Sequence, residues 1–133
     1  MASHEDNLGS VLSEHELAAG LVVASDGSTL AQVGDATAAG CEWLLSTLIG
    51  PYGDARNTFD SLDGQVLPRT WGQGDRFAVV DKPSPTLMVI VLGRGVSGLE
   101  QNRLAERVSA TIRERWITSH CSGPGAQNGR SNS

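Results

Sequence analysis

Lysine is almost missing from this sequence. Lys82 stands alone with nine arginines, and these ten basic residues face fifteen acidic ones, for a net charge of −5. A surface that tracks a phosphate backbone is dense in Lys and Arg, so this balance argues against nucleic-acid binding. Cysteine is as scarce. Cys41 and Cys121 lie far apart, one in a segment of helical pattern and one in a polar tail. That spacing argues against a disulfide and removes any need for an oxidising compartment. No apolar run approaches the roughly 20 residues of a membrane-spanning helix. The opening MASHEDNLGS is polar and acidic, without the apolar stretch of a secretory signal. Together these absences predict a cytoplasmic chain with no membrane insertion.

The 133 residues read as one globular domain over 1–117 with a tail. A domain of this size buries enough surface to need no metal or disulfide. Residues 7–17 predict a short, weak helix, with Leu8, Val11, Leu12 and His15 on one face and Gly9 inside it. An apolar strand at 21–24 meets the Asp26-Gly27 hairpin signal, and 29–33 alternates as a second strand. Asp35 is placed to cap a helix over 36–49, stopped by Gly50-Pro51. Residues 52–64 read as a polar connection with Phe59 and Leu62 as anchors. Three strands follow. The first, 65–71, contains Pro68, which cannot donate to a ladder, so it belongs at an edge. The second, 76–81, ends in the turn Lys82-Pro-Ser-Pro85. The third, 86–92, is apolar from Leu87 to Leu92, as a strand covered on both faces should be. The longest helix, 99–117, carries the stripe Leu104, Val108, Ile112, Trp116, with Arg103 and Glu106 spaced to pair. Residues 118–133 are small and polar and predict a disordered tail. Short turns join most strands, and two strands need cover on both faces. The predicted architecture is therefore a three-layer α/β/α sandwich, a five-stranded, mainly antiparallel sheet flanked by three helices.

One motif invites a different reading. Gly93-Arg-Gly95-Val-Ser-Gly98 follows an apolar strand and opens a helix, which spells the dinucleotide-binding pattern G-x-G-x-x-G. That chemistry needs a second parallel strand after the helix, ending in an acid about 20 residues beyond the glycines. Only the polar tail follows here. Ser97 and Glu100 instead form a capping-box pattern, which accounts for the segment as a helix start. His4, His15 and His120 are scattered without zinc-ligand spacing. The aspartates fall in turns, where backbone hydrogen bonding explains them. Nothing points to a nucleophile, a metal or a cofactor.

The tryptophans carry more information: Trp43 and Trp71 read either as partly buried core residues or as part of a protein interface, where Trp is enriched. Trp43 sits on a helix whose apolar residues (Ala38, Ala39, Cys41, Leu44, Leu45, Leu48, Ile49) leave few positions for water. A helix apolar nearly all round is buried on more than one side, and in so small a domain the second side fits another subunit.

The stretch GLVVASDGSTLAQVGD, residues 20–35, resembles the first hairpin of the roadblock (dynein-light-chain-type) domain family. The Ala- and Leu-rich helix after it, the element order, and RFAVVDKPSPTLMVIVLGRG (76–95) followed by a helix extend the resemblance over residues 8–117. It implies a profilin-like sandwich. It also implies a homodimer, or a dimer with a related chain, built on the second helix and an edge strand. The implied role is non-enzymatic, without cofactors, as regulator or scaffold; bacterial members often act on Ras-like small GTPases. Carried over by position, the interface residues would be Ala39, Trp43, Leu44, Ser46, Thr47, Val66, Leu67 and Trp71. Pro68 within the pairing strand departs from the pattern. The alternative is a small-ligand sensor of the PAS or GAF type, against which an aromatic content of 5% counts.

Overall fold

The computed structural model describes residues 3–37, 40–49, 55–96 and 98–121, the last five as backbone only. The elements in chain order are α1 (His4–His15), β1 (Ala19–Ala24), β2 (Thr29–Gly34), α2 (Glu42–Ile49), α3 (Arg56–Ser61), β3 (Arg69–Gln73), β4 (Arg76–Ser84), β5 (Leu87–Gly93) and α4 (Leu99–Cys121). The sheet runs β2-β1-β5-β4-β3 and every pairing is antiparallel. β5 is buried at all seven positions and β1 at its first five, as their unbroken apolar sequences require.

Alternate residues of the strands feed two cores. Leu21, Val23, Ala78, Val80, Met88, Ile90 and Leu92 pack under α2 and α3. Val22, Phe77, Val79, Val89 and Val91 pack under α1 and α4, against Leu8, Val11, Leu12, Leu104, Val108, Ile112 and Trp116. The predicted stripe of the last helix is thus the face α4 buries. This is a three-layer α/β/α sandwich around a five-stranded antiparallel sheet.

Several boundaries differ from those the sequence predicts, each for a local reason. α1 starts three residues early because Ser3 and Asp6 form a reciprocal capping box. The second helix begins at Glu42 rather than 36: Asp35 accepts from the Thr37 amide at 3.0 Å, closing a turn instead of capping a helix. Its predicted stop, Gly50-Pro51, lies outside the described residues. The connection at 52–64 holds the short helix α3, anchored by buried Phe59 and Leu62. Thr58 ties it to α2 by donating to the Leu48 carbonyl. β3 starts at Arg69, so Pro68 precedes the strand and does not interrupt it. β4 runs through the predicted turn to Ser84, with a register shift between Asp81 and Ser84 that accommodates Pro83. α4 continues to Cys121, four residues into the predicted tail; 122–133 lie outside the described residues.

Two polar sites hold α4 in place. The Asp81 carboxylate, fully buried, accepts from Ser109 Oγ at 2.5 Å, Arg113 Nη2 at 2.8 Å and the Lys82 amide at 2.8 Å. At the seam with α1, Trp116 Nε1 donates to His4 Nδ1 at 3.1 Å, and His15 Nε2 lies 2.8 Å from Thr111 Oγ1. Arg103 pairs with Glu100 at 2.9 Å rather than with Glu106.

Asp81→Ala removes a buried acceptor with three donors and should destabilise the fold by about 3 kcal/mol in urea unfolding. His15 gives a pH prediction. Burial pushes its imidazole below the ordinary value; Glu14 opposes this, and Arg107 and Arg115 add to it. The neutral form is favoured in the folded state, so its contribution is present above about pH 6.5 and is lost as pH falls toward the depressed value. His15→Gln should flatten that part of the stability profile between pH 7.5 and 5, and an unchanged slope would refute the assignment.

Candidate functional site

The candidate site is the α2 side of the β3 edge. β3 pairs with β4 so that Trp71 faces Ala78 and Arg69 faces Val80. Ala78 and Val80 belong to the core beneath α2, so Trp71 and Arg69 point to that layer. The Arg69 guanidinium lies 5.4 Å from the centre of the Trp71 ring and donates to Gln65 Oε1 at 3.0 Å. Trp71, Leu67, Leu45 and Ile49 are partly buried and pack at the rim of this core. Outward from them α2 presents Trp43, Ser46 and Thr47. Trp43 is 60% exposed, and Thr47 Oγ1 donates back to its carbonyl at 3.0 Å. Val66, just before β3, is 87% exposed.

Of the residues singled out from sequence, Trp43, Ser46, Thr47 and Val66 are therefore exposed, and Leu67 and Trp71 line the rim. Ala39 lies outside the described residues. Leu44 needs correcting. At 1% exposure it is a core side chain under α2, since the helix turns its Cys41-Leu44-Leu48 stripe to the sheet and has no Leu44 surface to offer a partner. Three rim residues are not among the interface positions carried over above. Leu45 and Ile49 were available from helical spacing, and Arg69 from its position two residues before Trp71 on one strand face.

Elsewhere the chemistry is quiet. Cys41 is buried, with Sγ 3.6 Å from the Gly93 carbonyl. Burial pushes its thiol up, against the opposing fields of Arg76 and Arg94 and with a further push from Asp75. A protonated, enclosed thiol is a poor nucleophile. The described residues contain no cluster of three or more His, Cys, Asp or Glu able to hold a metal. None of the described helices is long and apolar enough to cross a membrane.

The glycine motif is absorbed by structure. Gln101, buried in the first turns of α4, donates from Nε2 to the carbonyls of Gly74 at 2.9 Å and Val96 at 2.6 Å, pinning the loop to the β3–β4 turn. Ser97 lies outside the described residues. An open depression of about 310 Å³ beside the loop is lined by Gly95, Val96, Glu100, Leu104 and Arg107. Its charged lining is of mixed sign, with Arg107 beside a Glu100 carboxylate already paired with Arg103. With every pairing antiparallel, the sheet has no parallel crossover for a dinucleotide. A second depression, about 420 Å³, runs past Leu62–Gln65, Leu67 and Lys82–Pro85 and is likewise open to solvent.

No family model matches the chain, and no curated protein matches it. Solved structures do. The roadblock/LC7 domain from Streptomyces avermitilis superimposes with a TM-score of 0.55 at 11% identity, covering 90% of this chain and 99% of its own. MglB from Myxococcus xanthus gives 0.52 at 8% identity, over 89% and 94%. Acanthamoeba castellanii profilin II gives 0.50 at 11%, over 86% and 99%. At these identities the likeness is one of fold: this chain has the fold shared by roadblock domains and profilin.

The two neighbouring side chains on α2 should behave oppositely. Leu44→Ala leaves a core cavity and should cost about 2–5 kcal/mol. Trp43→Ala should change the stability of the monomer, measured below the concentration at which it associates, by no more than about 0.5 kcal/mol, as at other exposed positions. Comparable losses in urea melts would show that the Trp43 ring is packed within its own chain.

Proposed function

We propose that this chain is a non-enzymatic docking module of the roadblock type. It pairs with a second copy, or a related chain, through the outward face of α2 and the β3 edge. The pair then serves as regulator or scaffold of a Ras-like small GTPase in the cytoplasm. The observation that carries the proposal is Trp43: a large aromatic side chain left 60% exposed beside exposed Val66. Around it are small hydroxyl side chains, Ser46 and Thr47, that let another helix approach, and the half-buried rim of Leu45, Ile49, Leu67 and Trp71. Tryptophan in such a setting is the residue type that dominates interface energies. β3 ends the sheet and, among the described residues, has no strand on its outer side, so it offers a row of backbone donors and acceptors.

The fold shared with the Streptomyces avermitilis roadblock/LC7 domain and with MglB supports the roadblock part of the reading. So does the resemblance of the 20–35 hairpin to roadblock domains. The mechanism is docking. A pair that contacts one state of the switch loops better than the other shifts the balance between them by its differential affinity, without lending a catalytic side chain.

Light scattering after gel filtration at about 10 μM should give the mass of an assembly, and Trp43→Glu should weaken it by at least about 30-fold, the cost of losing a hot-spot residue. Adding the wild-type chain to a Ras-like GTPase encoded beside it should change nucleotide release or hydrolysis, and Trp43→Glu should blunt that change. A wild type that remains monomeric with a GTPase that neither binds nor responds would falsify the reading.

A further inference from the structure

At the end of the sheet where β3 turns into β4, three side chains form one row. Gln73 faces Arg76 across β3 and β4. The register Phe77↔Gly93 then brings Arg94 opposite Arg76, one residue on. Alternation fixes the face. Gln73 is two residues after Trp71, Arg76 two before Ala78 and Arg94 two after Leu92, and all three reference residues belong to the core under α2. The fields of Arg76 and Arg94 both reach the Cys41 thiol, so the two guanidiniums share one neighbourhood.

Like charges directly opposite each other on a sheet are unfavourable. They are more so here because nothing within the chain offsets them. Arg56, Arg69, Arg103, Arg113 and Arg115 each bond an oxygen of the chain. Gln73, Arg76 and Arg94 bond no described residue through their side chains. The nearby acids are turned elsewhere. Asp35 accepts from the Thr37 amide and Glu42 from Thr37 Oγ1 at 3.2 Å. Asp75 acts on the same thiol but forms no ion pair with either arginine.

Arg76 carries the decisive detail. Its Nε is buried and has no acceptor. A buried charged donor without an acceptor is costly, and native structures leave few of them. Gly40, at φ +76°, lies against this guanidinium: a Cβ there would come within 2.7 Å of Nε and 3.1 Å of Nη2. Glycine therefore keeps open the space that any other residue would fill.

We propose that Gln73, Arg76 and Arg94 form a binding site for a compact dianion of the phosphate class, as the free ion or as the phosphate group of a monoester. Two positive charges side by side match a group that carries nearly two negative charges at pH 7, as a phosphate does and a single carboxylate does not. Guanidinium forks take its oxygens two at a time, and the Gln73 amide adds a neutral donor. The site uses neither Trp43 nor the β3 edge, so it does not rest on the docking reading.

The test is a titration of the full chain with inorganic phosphate at pH 7.5, read on the arginine Nε–H signals in nitrogen-15 NMR. The Arg76 signal, assigned by its loss in Arg76→Lys, should shift and saturate with a midpoint of about 1 mM. Sodium chloride at matched ionic strength, and acetate, should not reproduce the saturating shift. Arg94→Gln, an exposed change, should leave the circular dichroism spectrum unaltered and weaken binding at least about tenfold, the loss of one charge-assisted contact. Phosphoserine separates the two sources. An equal response means that the site accepts a phosphate group carried on another molecule, and a response to phosphate alone means that it holds the free ion. No saturable shift up to about 20 mM, twenty times the expected midpoint, would overturn the proposal. So would an equal shift with acetate, or a midpoint unchanged in Arg94→Gln.

Discussion

Everything in this molecule follows from the need to cover β5 and its neighbours on both faces. β5 is apolar along its length and buried throughout, so helices must lie on each side of the sheet. The two covering layers are unequal. α1 and α4 supply 12 and 23 residues on one face, and α2 and α3 supply 8 and 6 on the other. The thin layer does not span five strands. It leaves Trp71 and Leu67 half-covered along β3 and leaves Leu30 and Gln32 bare over β2. The α2–β3 surface proposed for association is the place where the second layer runs out.

The thick layer explains where the buried polar groups went. Asp81, Gln101, Thr111 and Ser109 all lie on or against α4, and each has a hydrogen-bond partner. An unsatisfied buried group costs more than a satisfied one contributes, so these bonds fix the position of α4 against competing packings more than they add stability. They also account for the glycine loop. Its carbonyls are held by Gln101, and its work is to bring the chain from a central strand into the helix that covers it.

Strands and long helices were legible because their signals are periodic and long enough to repeat. The stripe on α4 and the run in β5 each extend over several residues, and each appears where predicted. Short and irregular features were not. α3 has six residues, fewer than two full turns, so no period could register. The early start of α1 depends on reading Ser3 and Asp6 as a cap. The late start of α2 depends on Asp35 closing a turn on Thr37 and on Gly40 adopting φ +76°, choices that the same residues could have made differently. Pro68 looked like an interruption only because the strand was placed four residues too early.

By itself the sequence determined the layering: which segments are strands and which must be covered twice. Periodicity carries that information because it is a local property of side chains along one element. Which way α2 turns was decided only by tertiary structure. A helix apolar on most of its circumference has no preferred inner face until a sheet is laid against it. Contact then made Leu44 core and left Trp43, its neighbour, in water. Hydrophobicity belongs to the residue, but burial belongs to the assembled surfaces, and the candidate site is defined by burial.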